Sequence, residues 1–227
     1  KQLSIKEELH LSVSVRSFRT EKLSEFVKTF LDLDESTAAS LFLTLKTDYP
    51  IVLTRDLKEA KKWLKSKARG GESLGIICSS GARRLRSYGI DVKSNIEPTT
   101  WFLNEKMDVR SSGFLEEVAT EFDIQGLELD WTCVAWDSNL RKNGNNWDFK
   151  NFKGTEWQNI NLDEKKRYLL NSYRVLLTRA RQGMVIFIPE GDITDRTMQP
   201  NYYESVYQYF LQCGVPTIGS KPHYFFT

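Results

Sequence analysis

The sequence predicts an α/β protein of three layers, in which helices cover both faces of a mostly parallel β-sheet. Short apolar runs alternate with amphipathic helical patterns along the 227 residues, and no internal repeat interrupts them. Right-handed crossovers between parallel strands place helices on both faces of such a sheet. Because 40% of the residues are hydrophobic, one substantial core can form, and a single domain over residues 1–227 is expected.

Six apolar runs predict the strands, at residues 9–15, 51–53, 74–79, 117–122, 131–136 and 184–189. Between and after them, apolar residues at helical spacing predict helices around 23–31, 38–45, 57–64, 169–180 and 201–213. Thr54 is the expected N-cap of the third helix.

The segment NSYRVLLTRARQG, residues 171–183, predicts a core helix that ends in two arginines, Arg179 and Arg181, with Gly183 as its C-terminal cap. Two interpretations of these arginines stay open. Cations in a last turn interact favourably with the helix dipole by roughly 0.3 to 1 kcal/mol, so both can be structural. A guanidinium also presents fixed donors that match phosphate oxygens, so either can bind a nucleotide.

One polar stretch departs from the alternating pattern. Residues 137–160 are rich in Asn and Gly and have no sustained period, which predicts a long surface loop after a strand. Its tryptophans, Trp147 and Trp157, either dock the loop onto the body of the protein or stack on bases.

Charge and cysteine content limit the function classes only weakly. Lys plus Arg total 32 and Asp plus Glu 30, a formal net charge of +2, so only local clusters can indicate a polyanionic partner. Cys78, Cys133 and Cys213 are widely spaced and odd in number, which is typical of reduced thiols in an intracellular protein. No apolar run approaches the roughly 20 residues of a membrane span. A cytoplasmic protein without a membrane partner is expected.

Ligands of open α/β sheets bind beyond the carboxyl ends of the strands, and three segments with unusual residues are expected there. They contain Arg16 and Arg19 after the first strand, Gln125, Gly126 and Glu128 after the fourth, and the pair Arg179 and Arg181. Glycine lets the backbone approach a ligand closely, and a carboxylate can accept hydrogen bonds from ribose hydroxyls.

Together these segments resemble the second RecA-like lobe of superfamily-one DNA/RNA helicases, closest to Schlafen-type helicase domains and their bacterial relatives. SVRS at 14–17 resembles motif IV, FDIQGLELDW at 122–131 motif V, and YRVLLTRARQG at 173–183 motif VI. The order and spacing also agree, and the motifs run through residues 14 to 189, most of the chain.

The resemblance implies a role for each residue. Arg179 resembles the arginine that reaches the γ-phosphate of ATP held mainly by the other lobe, and Arg16 resembles a second phosphate-sensing arginine. Gln125 and Gly126 would lie near the phosphates, and Glu128 would bind the ribose. The second arginine of motif VI, at position 181, would either support the first or contact nucleic acid.

Two features that ATP hydrolysis requires are missing from the sequence: a G-x-x-x-x-G-K-[ST] loop and a strand ending in paired acids for magnesium. The resemblance implies that ATP and Mg²⁺ are held mainly by an N-terminal RecA-like lobe of the same polypeptide. This chain alone is then expected to be inactive. Residues 28–120 are also too few for the DNA-gripping insertion of well-studied relatives, which implies a short-range translocase. The competing interpretation is a non-enzymatic RecA-like binding or regulatory module.

Basic residues concentrate between positions 55 and 93. The lysines of KEAKKWLKSKAR fit a solvated helix face whose side-chain stems cover apolar surface. The cluster SSGARRLR at 79–86 instead follows a predicted strand, where a new helix would offer free amides to a phosphate. The expected contacts with single-stranded DNA or RNA are Ser79, Ser80, Arg83 and Arg84.

Overall fold

The computed structural model describes residues 15–219, and side chains from residue 19 onward, around a central five-stranded sheet. The strands are β1 Ile51–Thr54, β2 Leu74–Cys78, β3 Val118–Thr120, β4 Leu129–Ala135, β5 Leu140–Asn143, β6 Asn146–Lys153, β7 Glu156–Asn159 and β8 Ala180–Phe187. The central sheet has the order β1-β8-β4-β2-β3, and all neighbouring strands in it are parallel.

The α-helices of the described part are α1 Val15–Leu31, α2 Glu35–Leu45, α3 Leu57–Lys67, α4 Pro98–Leu103, α5 Asp163–Leu177 and α6 Asn201–Gln212. Strand residues alternate between two buried clusters, because successive side chains of a strand point to opposite faces. Ile77, Val134 and Ile186 pack with α1, α2, α5 and α6. Ile76 and Cys133 pack on the other face with α3. The predicted three-layer α/β fold is therefore confirmed.

Five of the predicted strands correspond to β1, β2, β3, β4 and β8, and the five predicted helices correspond to α1, α2, α3, α5 and α6. The predicted strand at 9–15 lies outside the described residues except for Val15, which begins α1. Thr54 ends β1 and is not the N-cap of α3, so that prediction is wrong. The cap is Asp56, whose side chain accepts a hydrogen bond from the Lys58 backbone N–H at 2.7 Å.

The loop predicted at 137–160 is wrong, because β5, β6 and β7 form an antiparallel three-stranded sheet there. Gly144 and Gly154 each begin a two-residue hairpin loop with a positive φ, at 56° and 59°. Glycine at the first position of such a loop is the signal of a tight hairpin, and the overall Asn and Gly content obscured it.

The docking interpretation of the two tryptophans is confirmed. The Trp147 indole N–H donates to the Leu31 carbonyl at 2.7 Å, and its ring centroid lies 6.2 Å from that of Phe30. The Trp157 indole N–H donates to the Thr197 carbonyl at 2.8 Å. In the described part, no helix is long and apolar enough to cross a membrane.

The three cysteine thiols are free and buried, and we expect them to be unreactive in the native protein. Burial raises the pKa of Cys133 and Cys213 to about 12, and raises the pKa of Cys78 well above its usual value. Because the thiolate is the nucleophile, a disulfide reagent should modify the native chain far more slowly than the urea-unfolded chain. A thiol that reacts in the native state as fast as free cysteine would contradict this expectation.

Candidate functional site

A cleft lies at the amino ends of β4 and β8, beside the first turns of α1. Its lining consists of Arg19, Thr20, Leu23, Tyr49, Glu128, Thr178, Arg179, Ala180 and Arg181. These residues come from distant parts of the chain, and they meet because β4 and β8 are neighbours in the sheet. The structure thus brings together Glu128, Arg179 and Arg181 from the second and third motif-like segments with Arg19 from the helix that begins in the first.

The sequence analysis predicted that these residues lie beyond the carboxyl ends of strands, and for this cleft that prediction is wrong. Glu128 immediately precedes β4 and Arg179 immediately precedes β8, so both lie at the amino edge of the sheet. The expected helix end is also wrong, because α5 ends at Leu177. The Thr178 hydroxyl donates back to the Arg174 carbonyl at 2.9 Å. Neither arginine therefore lies in the last turn of α5.

Arg179 links the helix to the sheet through its backbone. Its carbonyl accepts from the Leu129 N–H at 3.3 Å, and its own N–H donates to the Leu176 carbonyl at 3.4 Å. The Nε atom of its side chain is buried and has no hydrogen-bond partner, and the same is true of Nε of Arg19 in the same cleft. A buried donor without a partner costs about 1–3 kcal/mol, so two in one cleft indicate a place for an acceptor.

Tyr49 fixes the backbone between Arg179 and Arg181. Its buried hydroxyl donates to the Ala180 carbonyl at 2.9 Å. Burial raises the pKa of Tyr49 far above its usual value, against the opposing effect of the Arg19 charge. The phenol is therefore neutral and acts as a fixed donor, with a guanidinium close by.

Arg181 lies in β8, and its exposed side chain pairs with the largely buried carboxylate of Asp130 in β4. Its Nη2 is 2.8 Å from Oδ1 of Asp130, which also accepts from Nε2 of Gln182 at 3.1 Å. The backbone N–H and hydroxyl of Ser73 donate to the other carboxylate oxygen at 2.8 and 3.0 Å. Partial burial acts to raise the Asp130 pKa, but these hydrogen bonds and Arg181 outweigh it, so the pKa lies below its usual value. This arrangement favours a supporting role for Arg181.

Gln125 and Gly126 are exposed on the turn before β4 and are not part of the cleft lining. Gly126 has a φ of 78°, and the Leu127 N–H donates to the Ile124 carbonyl across it at 3.1 Å. A Cβ at position 126 would meet nothing within 4 Å, so the turn conformation, and not crowding, favours glycine. The Arg16 backbone lies in the first turn of α1, and its side chain lies outside the described part.

The free amides expected after β2 are not found. The backbone N–H and hydroxyl of Ser80 both donate to the Glu121 carboxylate, at 2.7 and 2.8 Å. Ser79 is buried, and its hydroxyl oxygen accepts from Nδ2 of Asn139 at 3.0 Å. The segment that follows is a 3₁₀ helix, Arg83–Tyr88, and not an α-helix. A carboxylate thus occupies the donors that a phosphate would need.

The neighbouring arginines also make internal contacts. Arg84 pairs with Asp195 at 2.6 Å, and its backbone N–H donates to the buried Asp137 carboxylate at 2.9 Å. Arg83 makes a longer contact, 3.4 Å, with the Phe152 carbonyl. Their role in nucleic-acid binding stays a prediction.

The sequence analysis expected Arg19 near a ligand but gave it no individual role, and it gave none to the cleft residues Thr20, Tyr49 and Thr178. Arg19 lies three positions after Arg16, and that spacing in a helix signals a shared face. No local signal identifies Tyr49, because its contact with Ala180 joins residues 131 positions apart.

Comparison with known families bears on the whole cleft. Residues 1–190 match the family model of the Schlafen group 3 DNA/RNA helicase domain. Searches of curated proteins and of solved structures gave no significant match. The matched range includes every residue of the cleft and well over half of the 227 residues. The chain belongs to the Schlafen group 3 DNA/RNA helicase domain family.

Proposed function

We propose that the chain is the C-terminal RecA-like lobe of an ATP-dependent DNA/RNA helicase or translocase. Arg179 and Arg16 would reach the γ-phosphate of ATP, which an N-terminal lobe of the same polypeptide holds together with Mg²⁺. The observation that carries the proposal is the cleft at the amino ends of β4 and β8. There Arg179 and Arg19 each present a buried Nε donor without a partner, next to Glu128.

Phosphoryl transfer requires positively charged hydrogen-bond donors, such as the guanidinium groups of Arg179 and Arg19, at the transferred phosphate. Negative charge spreads over the γ-phosphoryl oxygens in the transition state, and a positioned guanidinium stabilises it. Arg181 and Arg84 are each paired with a carboxylate, which reduces their attraction for a phosphate. Arg84 also has a buried Nε without a partner, but it does not line the cleft, so Arg179 is the better candidate for the γ-phosphate contact.

Arg19 extends the proposal to a second guanidinium of the cleft. We assign it to the same nucleotide, as a contact beside Arg179, since its Nε is equally without a partner. Glu128 would bind the ribose at the cleft rim, and Gln125 and Gly126 would meet the phosphates from their exposed turn when the two lobes close.

The test compares two proteins. The polypeptide that carries this chain together with a P-loop lobe is expected to hydrolyse ATP, and faster with single-stranded DNA or RNA. The 227-residue chain alone is expected to be inactive and to bind Mg-ATP weakly, because half of a cleft makes half of the contacts. Phosphate release and calorimetry measure the two properties.

Submicromolar binding of ATP by the chain alone would contradict the two-lobe site. A two-lobe polypeptide that binds nucleic acid but does not hydrolyse ATP would instead favour the alternative, a non-enzymatic RecA-like binding or regulatory module.

A further inference from the structure

Two exposed aromatic rings lie against each other beside the second motif-like segment. Phe122 is 49% exposed and Tyr168 is 51% exposed, with ring centroids 6.1 Å apart and planes inclined by 29°. Among residues 19–219, no other aromatic side chain is as exposed. The remaining rings are largely covered, as are those of Trp147 and Trp157, whose indoles dock the small sheet.

A hydrogen-bonded turn holds Phe122 in this position. Across the turn, the backbone N–H and the hydroxyl of Thr120 both donate to the Asp123 carboxylate, each at 2.7 Å. On the other side, Glu121 accepts both hydrogen bonds from Ser80. These hydrogen bonds hold the backbone around Phe122, and a ring presented to water from a fixed backbone loses less freedom when it binds a ligand.

Tyr168 lies on α5 with two basic residues near it in the helix, and the Glu121 carboxylate is close enough that its charge, after burial, raises the pKa of Tyr168. Lys165 lies one turn earlier on the same face, and Arg167 is the adjacent residue; both are exposed. Lys166 differs, because it pairs with Asp163 at 3.0 Å. Lys165 and Arg167 are thus two exposed cations of α5 near Tyr168 that can reach an external anion.

We propose that Phe122 and Tyr168 form a stacking platform for the bases of single-stranded nucleic acid, with Lys165 and Arg167 at the flanking phosphates. Bases require flat apolar surfaces and phosphates require cations, and single-strand-binding proteins combine the two. A duplex would not fit this purpose, because its bases are already stacked. The site differs from the set Ser79 to Arg84, in which Ser79, Ser80 and Arg84 already make hydrogen bonds or an ion pair within the protein.

This inference deepens the nucleic-acid part of the proposed function and rests on it, but it does not depend on ATP. Tyr168 and Thr178 lie near opposite ends of α5, about 15 Å apart at 1.5 Å per residue. Binding can therefore be measured without nucleotide, so an inactive motor leaves the result unaffected.

The test is fluorescence anisotropy of the 227-residue chain with labelled oligothymidylate and oligouridylate of about 20 nucleotides. The double variant Phe122→Leu/Tyr168→Leu keeps apolar bulk but loses both flat rings. It is expected to bind roughly 5- to 150-fold more weakly. Tyr168→Phe keeps the ring and should bind as the wild type does. Leu43→Ala, at a residue 60% exposed on α2, is the matched control for loss of exposed apolar surface.

An abasic strand of the same length separates stacking from charge. The wild type should bind it more weakly than oligothymidylate, whereas the double leucine variant should bind both strands alike. Lys165→Ala/Arg167→Ala should reduce the salt dependence, by about 1.4 in the slope of log affinity against log salt at roughly 0.7 per phosphate contact. Equal affinity of the wild type and the double leucine variant for oligothymidylate would overturn the proposal. The proposal would also be overturned if the double leucine variant lost affinity for the abasic strand and for oligothymidylate by the same factor.

Discussion

Replacement of Arg179 by alanine is expected to lower the nucleic-acid-stimulated ATP hydrolysis of the two-lobe polypeptide by about 10³- to 10⁵-fold. This loss corresponds to roughly 4 to 7 kcal/mol of transition-state stabilisation. The maximal rate should fall far more than the apparent affinity for ATP, because the proposed contact forms mainly as charge develops on the γ-phosphoryl group. Steady-state phosphate release against ATP concentration measures both quantities.

Three further variants give this experiment its controls. Arg174→Ala removes a guanidinium of α5 that contacts Asn171, outside the cleft, and should leave the rate unchanged. Arg181→Ala breaks the pair with Asp130 and should have an intermediate effect through the support it gives. Arg179→Lys keeps the charge but not the fixed fork of donors, so it should not restore activity. Wild-type hydrolysis by Arg179→Ala would remove Arg179 from the catalytic site.

The fold was predictable because the strands of the central sheet are short, apolar and separated by amphipathic helices. The end of α5 was not predictable from the same pattern. Leu177 and Ala180 fit both a helical stripe and the beginning of a strand. Two contacts place Ala180 in the strand: it pairs with Leu129, and its carbonyl accepts the hydrogen bond from the Tyr49 hydroxyl. Both contacts are long-range, and local periodicity carries no information about them.

The antiparallel sheet at β5 to β7 was missed for a different reason. Its middle strand is polar and mostly half-buried, so it lacks the clear alternation of a buried strand. The local signal was present in the two glycines that begin tight hairpin loops, Gly144 and Gly154. The high Asn and Gly content of residues 137–160 led to the prediction of a loop in spite of that signal.

The candidate site was predictable in part. The resemblance to helicases implied that Glu128 and Arg179 act on the same nucleotide, and both residues line one cleft. Their position at the amino edge of the sheet depends on how the chain returns from β3 to β4 and from α5 to β8. The partners of Ser80 and Arg84 were equally hidden, because Glu121 and Asp195 lie 41 and 111 positions away.

Helix α5 connects the two proposed sites. Tyr168 of the stacking platform is in its second turn, and Arg179 follows its last residue by two positions. A helix transmits a displacement along its axis because its backbone hydrogen bonds hold its length fixed. If nucleic acid bound at the platform shifts α5 along its axis, Arg179 would move with it relative to an ATP held by another lobe. This provides a physical route from nucleic-acid binding to the rate of hydrolysis.

The second large effect is expected on stability, at Gly183. A Cβ at this position in β8 would lie 2.6 Å from the Pro50 carbonyl oxygen and 2.7 Å from the Trp131 ring. That oxygen accepts the Met184 N–H at 3.0 Å, so it cannot move away without weakening the pairing of β1 with β8. Gly183→Ala should therefore lower the free energy of unfolding by about 1–3 kcal/mol, as overpacking of a core does. Urea denaturation measures this quantity.

Two comparisons distinguish this steric cause from the helix cap that the sequence predicted. Gly71→Ala, in the turn before β2, meets nothing within 4 Å and should change stability by no more than about 0.5 kcal/mol. Asparagine is tolerated at a left-handed helix cap, so Gly183→Asn would be mild if position 183 capped α5. In the strand its larger side chain meets the same Pro50 and Trp131 atoms, so Gly183→Asn should destabilise at least as much as Gly183→Ala. An asparagine variant more stable than the alanine variant would contradict the packing of β8 against Pro50.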